Sequence, residues 1–278
     1  MKTDMEKSKN ILLTIEYDGT NFKGWQSQEG QKTVQSVIED ALEKALSERV
    51  SINAAGRTDA GVHAYGQTAN FVTGSRLPVE NLKTVVNNFL SVGNKRTYPV
   101  GSVRIVDVKT VQEDFHARFS CVGKTYMYKI LLAKEPDIFK RNYFYRINKE
   151  LNFENMAKAA KRLVGEHDFA SFQASGGTPR KTTVRNIFDI RFDGEGNELY
   201  LFVTGDGFLY NMVRIIAGTL VDVGIGKINP ADIGEILTSC DRKKAGHTAP
   251  PCGLYLYKVY YSKEEMEIWT DPVGTNIL

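Results

Sequence analysis

The spacing of apolar residues changes along the chain, and each change marks an element. Residues 11–17 form an apolar, β-branched run stopped by Asp18-Gly19, the pattern of a strand entering a turn. Helical spacing follows at Val34, Val37, Ile38, Ala41, Leu42, Ala45 and Leu46, with Thr33 placed to cap the helix. Residues 50–56 and 67–72 read as strands. A second helix starts near Pro78 with Leu82, Val85, Val86, Phe89 and Leu90 on one stripe, and residues 100–111 read as a strand. The order β-α-β-β-α-β is that of a ferredoxin-like unit, a sheet with two helices on one face.

The second half repeats this order. Residues 124–132 alternate as a strand, and Met156, Ala159, Ala160, Leu163 and Val164 return at helical spacing. Strands over 187–192 and 199–203 flank the turn Asp193-Gly-Glu-Gly-Asn197; then come an apolar run over 208–223, a short helix opened by Asn229-Pro230, and a strand over 254–261. The pattern predicts an α+β, two-layer fold of two ferredoxin-like or RRM-like halves, residues 1–112 and 113–278. Their mainly antiparallel sheets are expected to join across a central cleft, a common place for a ligand. Residues 263–278 carry Glu264, Glu265, Glu267 and Asp271 against one lysine and read as a solvated or partner-facing tail.

With 42% hydrophobic and 25% charged residues over 278 positions, wholesale disorder is excluded. No run approaches the ~18 apolar residues of a membrane span, and the N-terminus has no apolar signal region, so a cytoplasmic protein is expected. Three widely spaced cysteines argue against a disulfide framework, and four histidines without ligand spacing argue against a metal. The net charge of +3 decides nothing until it is resolved along the chain. Residues 113–185 hold fourteen Lys and Arg against eight Asp and Glu, interleaved with Phe115, Phe119, Tyr126, Tyr128, Tyr143, Phe144 and Tyr145. Such a mixture suits phosphate contact with base stacking, though composition alone favours a solvated face above core aromatics.

Three places could carry chemistry. The segment over 53–64, Asn-Ala-Ala-Gly-Arg-Thr-Asp-Ala-Gly-Val-His-Ala, is a glycine-bearing loop presenting Asp59, either a catalytic carboxylate or an Asx-type turn. Residues 207–221 contain a single charge, Arg214, on a helix apolar all round. A guanidinium buried there requires an anion unless it snorkels to the surface, and Asp59 is the most economical partner. Tyr126 shares a strand face with Tyr128, Ile130 and Leu132, as a core residue or, against a site carboxylate, as a stacking and proton-transfer group. His116 and His167 read as structural residues.

In order along the chain stand Tyr17-Asp-Gly-Thr-Asn-Phe-Lys-Gly-Trp-Gln26, Gly56-Arg-Thr-Asp-Ala-Gly-Val-His-Ala64, Phe115-His-Ala-Arg-Phe-Ser120 with the following Tyr126, His167-Asp-Phe-Ala-Ser-Phe172, Gly207-Phe-Leu-Tyr-Asn-Met-Val-Arg214 and Ala249-Pro-Pro-Cys-Gly-Leu254. By these motifs the chain resembles the TruA family of tRNA pseudouridine synthases over nearly its whole length, with Pro251 standing where the family usually has a small residue. The resemblance implies that Asp59 is the nucleophile that isomerises uridine to pseudouridine, that Tyr126 contacts the target base, that Arg214 pairs with Asp59 and that Arg57 helps displace the flipped nucleotide. It implies a substrate in uridines 38 to 40 of the tRNA anticodon stem-loop, and a homodimer with neither metal nor organic cofactor. Two other readings are a non-catalytic RNA-binding protein built on paired RRM-like sheets and a carboxylate glycosidase. The first gives no reason for an isolated Arg214 and an acidic loop, and the second requires another acid, which the loop lacks.

Overall fold

The computed structural model describes residues 8–92, 101–177 and 181–270. The opening apolar run is strand β1 (Lys9–Tyr17). Thr33 caps helix α1 (Val34–Leu46) through a reciprocal pair with Ser36, and the helix buries Val34, Val37, Ile38, Ala41, Leu42 and Leu46. There follow β2 (Asn53–Ala54), β3 (His63–Thr73), α2 (Val79–Val92) and β4 (Val103–Val111), then β5 (Gly123–Leu132), β6 (Tyr145–Ile147), α3 (Phe153–Lys161) and β7 (Gly165–Asp168). The chain continues through β8 (Val184–Glu195), β9 (Glu198–Gly205), α4 (Met212–Gly224), α5 (Ile233–Ser239), β10 (Leu254–Tyr260) and α6 (Lys263–Thr270). It divides into two compact units, one of Met1–Cys121 with Leu256–Tyr261, the other of Val122–Tyr255 with Ser262–Leu278.

In the first unit β1 lies between β3 and β4, antiparallel to both, with Leu13 opposite Ala69 on one side and Val108 on the other. Residues of β10 take the remaining edge of β3. Ile11, Leu13, Ile15, Ile38, Leu42, Phe71 and Leu90 are fully buried and form the core with α1 and α2. The strand expected over 50–56 shrinks to the two residues of β2, which pair with Asn70 and Ala69. One cause is a carboxylate distant in sequence: Glu39 accepts the Ile52 N–H at 3.0 Å, so that backbone group needs no ladder partner. The strand expected over 100–111 begins at Val103; residue 100 lies outside the described residues.

In the second unit the strand order is β6-β5-β9-β8-β7, antiparallel except for β5 and β6. The hairpin β8–β9 turns at Gly196-Asn197, where Gly196 has a φ of +61°. β6 and β7 are short and only partly buried, so no alternation announces them. Every residue of α4 is buried except Arg214, as expected of a helix apolar all round. The tail reading fails over 263–270: these residues form α6, which buries Met266 and stacks Trp269 against Phe202 and the Arg191 guanidinium, 4.1 Å from the indole centroid. The remainder of that tail, with Asp271, lies outside the described residues. No helix among the described residues is long and apolar enough to cross a membrane.

Candidate active site

Asp59 and Arg57 lie in the first unit, on the loop between β2 and β3. Arg57 is exposed, Thr58 buried and Asp59 half-buried. The tight turn is closed by the main chain, Val62 N–H donating to the Asp59 carbonyl at 3.2 Å, with Gly61 at a φ of +77°. The loop is clamped by the segment that follows β1. Trp25 N–H donates to the Thr58 carbonyl at 3.0 Å, and the Tyr17 hydroxyl meets Thr58 Oγ1 at 2.7 Å. Gly19 N–H donates to Nδ1 of buried His63, and the fully buried Gln67 donates its amide to the Gly56 carbonyl at 2.8 Å.

Two glycines make the clamp possible. A Cβ on Gly19 would stand 1.9 Å from the Val62 carbonyl oxygen; one on Gly24, already at a φ of +90°, would stand 2.8 Å from that of Thr58. Burial pushes the Tyr17 phenol well above its usual range, against the lowering effect of hydrogen bonds with Thr58 and Gln67. Tyr17 is therefore a neutral brace for the loop.

Tyr126 and Arg214 lie in the second unit. Tyr126 on β5 is buried, with its ring edge-on to Phe208 at 5.0 Å. Arg214, in the first turn of α4, donates from Nε to the Ala249 carbonyl at 2.8 Å and from Nη1 to Asn211 Oδ1 at 2.7 Å. Asn211 holds the left-handed conformation at the helix start (φ 59°), which asparagine tolerates better than most residues. The guanidinium also faces Tyr128, whose fully buried phenol is pushed well above its usual range by burial first and by nearby Cys252, while Arg214 opposes the rise.

A strap over 245–253 supplies the Arg214 acceptor. Its Gly246 N–H donates to Thr219 Oγ1, and its His247 donates from the backbone to Asp222 Oδ2 at 3.2 Å and places Nδ1 2.9 Å from the same oxygen. His247 Nε2 meets the Tyr145 hydroxyl at 3.0 Å, and Tyr128 donates its hydroxyl to the Pro250 carbonyl at 2.7 Å. The strap lies against α4 because residue 218 is glycine: a Cβ there would fall 1.9 Å from the His247 carbonyl oxygen. The sequence patterns assign no role at the site to Asn211, Tyr128, Asp222 or His247. A glycine in the middle of an apolar helix, Gly218, was the available signal of a close backbone approach.

A family model described as tRNA pseudouridine synthase matches residues 13–120 and 159–262. The chain belongs to the tRNA pseudouridine synthase family. It is 48% identical to tRNA pseudouridine synthase A 2 of Clostridium perfringens over 253 residues, 91% of this chain and all of that protein. It is 47% identical to tRNA pseudouridine synthase A of Ruminiclostridium cellulolyticum over 254 residues, again 91% of this chain and all of that protein. As a tRNA pseudouridine synthase the chain is an isomerase that converts uridine to pseudouridine in tRNA. The reaction exchanges the bond from N1 to C1′ for one from C5 to C1′, with no net redox change or hydrolysis.

Proposed function

We propose that this tRNA pseudouridine synthase acts on uridines 38 to 40 of the anticodon stem-loop, with Asp59 as its nucleophile and no metal or organic cofactor. The observation that carries this reading is the clamped turn over 56–62, in which the main chain and three buried polar side chains, Tyr17, His63 and Gln67, brace the backbone that bears one half-buried aspartate. Loops held by a rigid scaffold are where reacting groups concentrate. The uridine must leave its stack before both N1 and C5 become reachable, at a cost of a few kcal/mol. Arg57, exposed beside Asp59, then occupies or props the vacated position.

Asp59 attacks the extruded nucleotide and the N1–C1′ bond breaks. The uracil turns, C5 joins C1′, the bond to Asp59 is released, and the proton on C5 departs while N1 gains one. Tyr126 stacks on the base and serves that proton transfer. Arg214, oriented by Ala249 and Asn211, pairs with Asp59 and keeps it ionised. The enzyme works in the cytoplasm as a homodimer.

The test is Asp59→Asn assayed on tRNA labelled with tritium at uridine C5. Tritium release is expected to fall by at least about a thousandfold while tRNA binding persists. Turnover within tenfold of the wild type removes Asp59 as the nucleophile. The same assay separates an enzyme from a binding-only protein, for which neither form releases tritium.

A further inference from the structure

The motif over 115–120, Phe-His-Ala-Arg-Phe-Ser, has no part in the chemistry above, yet the first unit holds it in one conformation with unusual care. The Asn10 side-chain amide donates to the carbonyls of Gln112 and Phe115, at 2.9 and 2.8 Å. The buried Asn70 accepts Ala117 N–H at 2.9 Å and donates to Asn10 and Phe115. The Tyr261 hydroxyl donates to the Ala117 carbonyl at 3.0 Å, and Phe115 packs on the Tyr261 ring at 4.9 Å. Ser120 Oγ accepts the His116 N–H, and His116 Nδ1 accepts that of Arg118.

On this fixed base stand three outward side chains. Phe119 is 76% exposed. The His116 ring lies 4.4 Å from it, and the Arg118 guanidinium lies over its face at 5.6 Å. At that exposure the ring adds little to the core, and what distinguishes it is its setting, between the His116 imidazole and the Arg118 guanidinium on a turn held by buried amides. A ring flanked by a cation is the equipment for stacking an unpaired base and meeting its phosphate. The turn is also braced from the strand that carries the Asp59 loop. Thr68 of β3 accepts Ala55 N–H, at the entry to that loop, through its carbonyl, and its hydroxyl bonds Tyr261, which holds Ala117.

We propose that Phe119, with Arg118 and His116, is a second RNA contact of this tRNA pseudouridine synthase, stacking an unpaired base outside the loop that carries Asp59 and binding the adjoining phosphate. The inference rests on the family's RNA substrate and is independent of which residue attacks the uridine.

The experiment compares wild type, Phe119→Ala, Phe119→Trp and Arg118→Ala in the full chain. It measures tRNA Kd against salt, kcat and KM for tritium release, and mass by sedimentation. Phe119→Ala is expected to raise Kd and KM about 5- to 100-fold with kcat within about twofold, the range of one lost base stack. Phe119→Trp is expected to restore affinity, with its indole fluorescence quenched on tRNA addition. Arg118→Ala is expected to reduce the salt slope by about one. Unchanged Kd and KM in Phe119→Ala, at unchanged circular dichroism, overturn the proposal. A fall in mass accompanying the lost affinity also overturns it, since the ring would then belong to a contact between copies of the chain. Wild-type Kd in Asp59→Asn together with weakened Kd in Phe119→Ala separates this contact from the chemistry.

Discussion

The Asp59 loop and the Arg214 helix hold half-buried charges by opposite means. The loop is fixed by the polar side chains of Tyr17, Gln67 and His63, and by main-chain hydrogen bonds that only Gly19 and Gly24 bring within reach. The helix is fixed by packing, twelve buried residues around one guanidinium, with a strap contact from His247 to the Asp222 carboxylate. The carboxylate proposed to react is thus placed by backbone geometry, and the cation proposed to orient it is placed by the rigidity of an apolar helix. Errors in the first region are errors of strain, and errors in the second are errors of fit.

The largest test of that contrast adds one methyl group to each region. In Gly19→Ala and Gly218→Ala the new Cβ would each stand 1.9 Å from a carbonyl oxygen, of Val62 and of His247 respectively. Each is expected to cost about 1–3 kcal/mol of stability. Each is also expected to lower kcat by about a hundredfold, because displacements near 1 Å cost that much at a reacting centre. Thermal melts and tritium release check both. Full activity in Gly218→Ala would show that the position of the Arg214 acceptor does not matter.

Removing single hydroxyl groups sharpens the comparison. Tyr17→Phe deprives Thr58 of its partner, and Tyr128→Phe deprives the Pro250 carbonyl of its own. About 1 kcal/mol is expected from each in urea unfolding. The loop variant is expected to lose more turnover than stability, and the strap variant the reverse; equal losses in both would erase the distinction.

The smallest effect is one of pH. Burial raises the Asp222 carboxyl, but hydrogen bonds from His247 and the Lys227 ammonium outweigh it and leave the group below its usual range. A depressed carboxylate stabilises the fold above its unfolded pKa, and that contribution is lost as pH falls through the folded value. Wild type is therefore expected to lose more stability than Asp222→Asn between pH 7 and pH 3. Parallel urea midpoints over that range would show that the strap is not held by charge.

What could be read in the sequence depended on how local its cause was. Thr33 announced α1 because the cap and its Ser36 partner are three residues apart. Arg214 stood out because the residues around it are apolar, a property visible within one helix. The strand over 50–56 was misjudged because Glu39 satisfies the Ile52 N–H from another element. The strap escaped notice because its residues have no periodicity; they matter through carbonyl groups offered to Arg214 and Tyr128, and every residue type has a carbonyl. The acidic stretch over 263–270 was misread because charge count hid Met266 and Trp269.

Strand β10 carries a consequence for how the molecule is made. The first unit takes Leu256–Tyr261 as well as Met1–Cys121. On the ribosome, the first 121 residues emerge long before the segment that covers the β3 edge and supplies the Tyr261 hydroxyl to Thr68 and Ala117. An uncovered strand edge is a template for wrong pairing, and contacts so distant in sequence form late. The amino-terminal unit therefore completes its folding only after nearly the whole chain has been synthesised, and a premature stop before Leu256 leaves the Asp59 loop on an unfinished sheet.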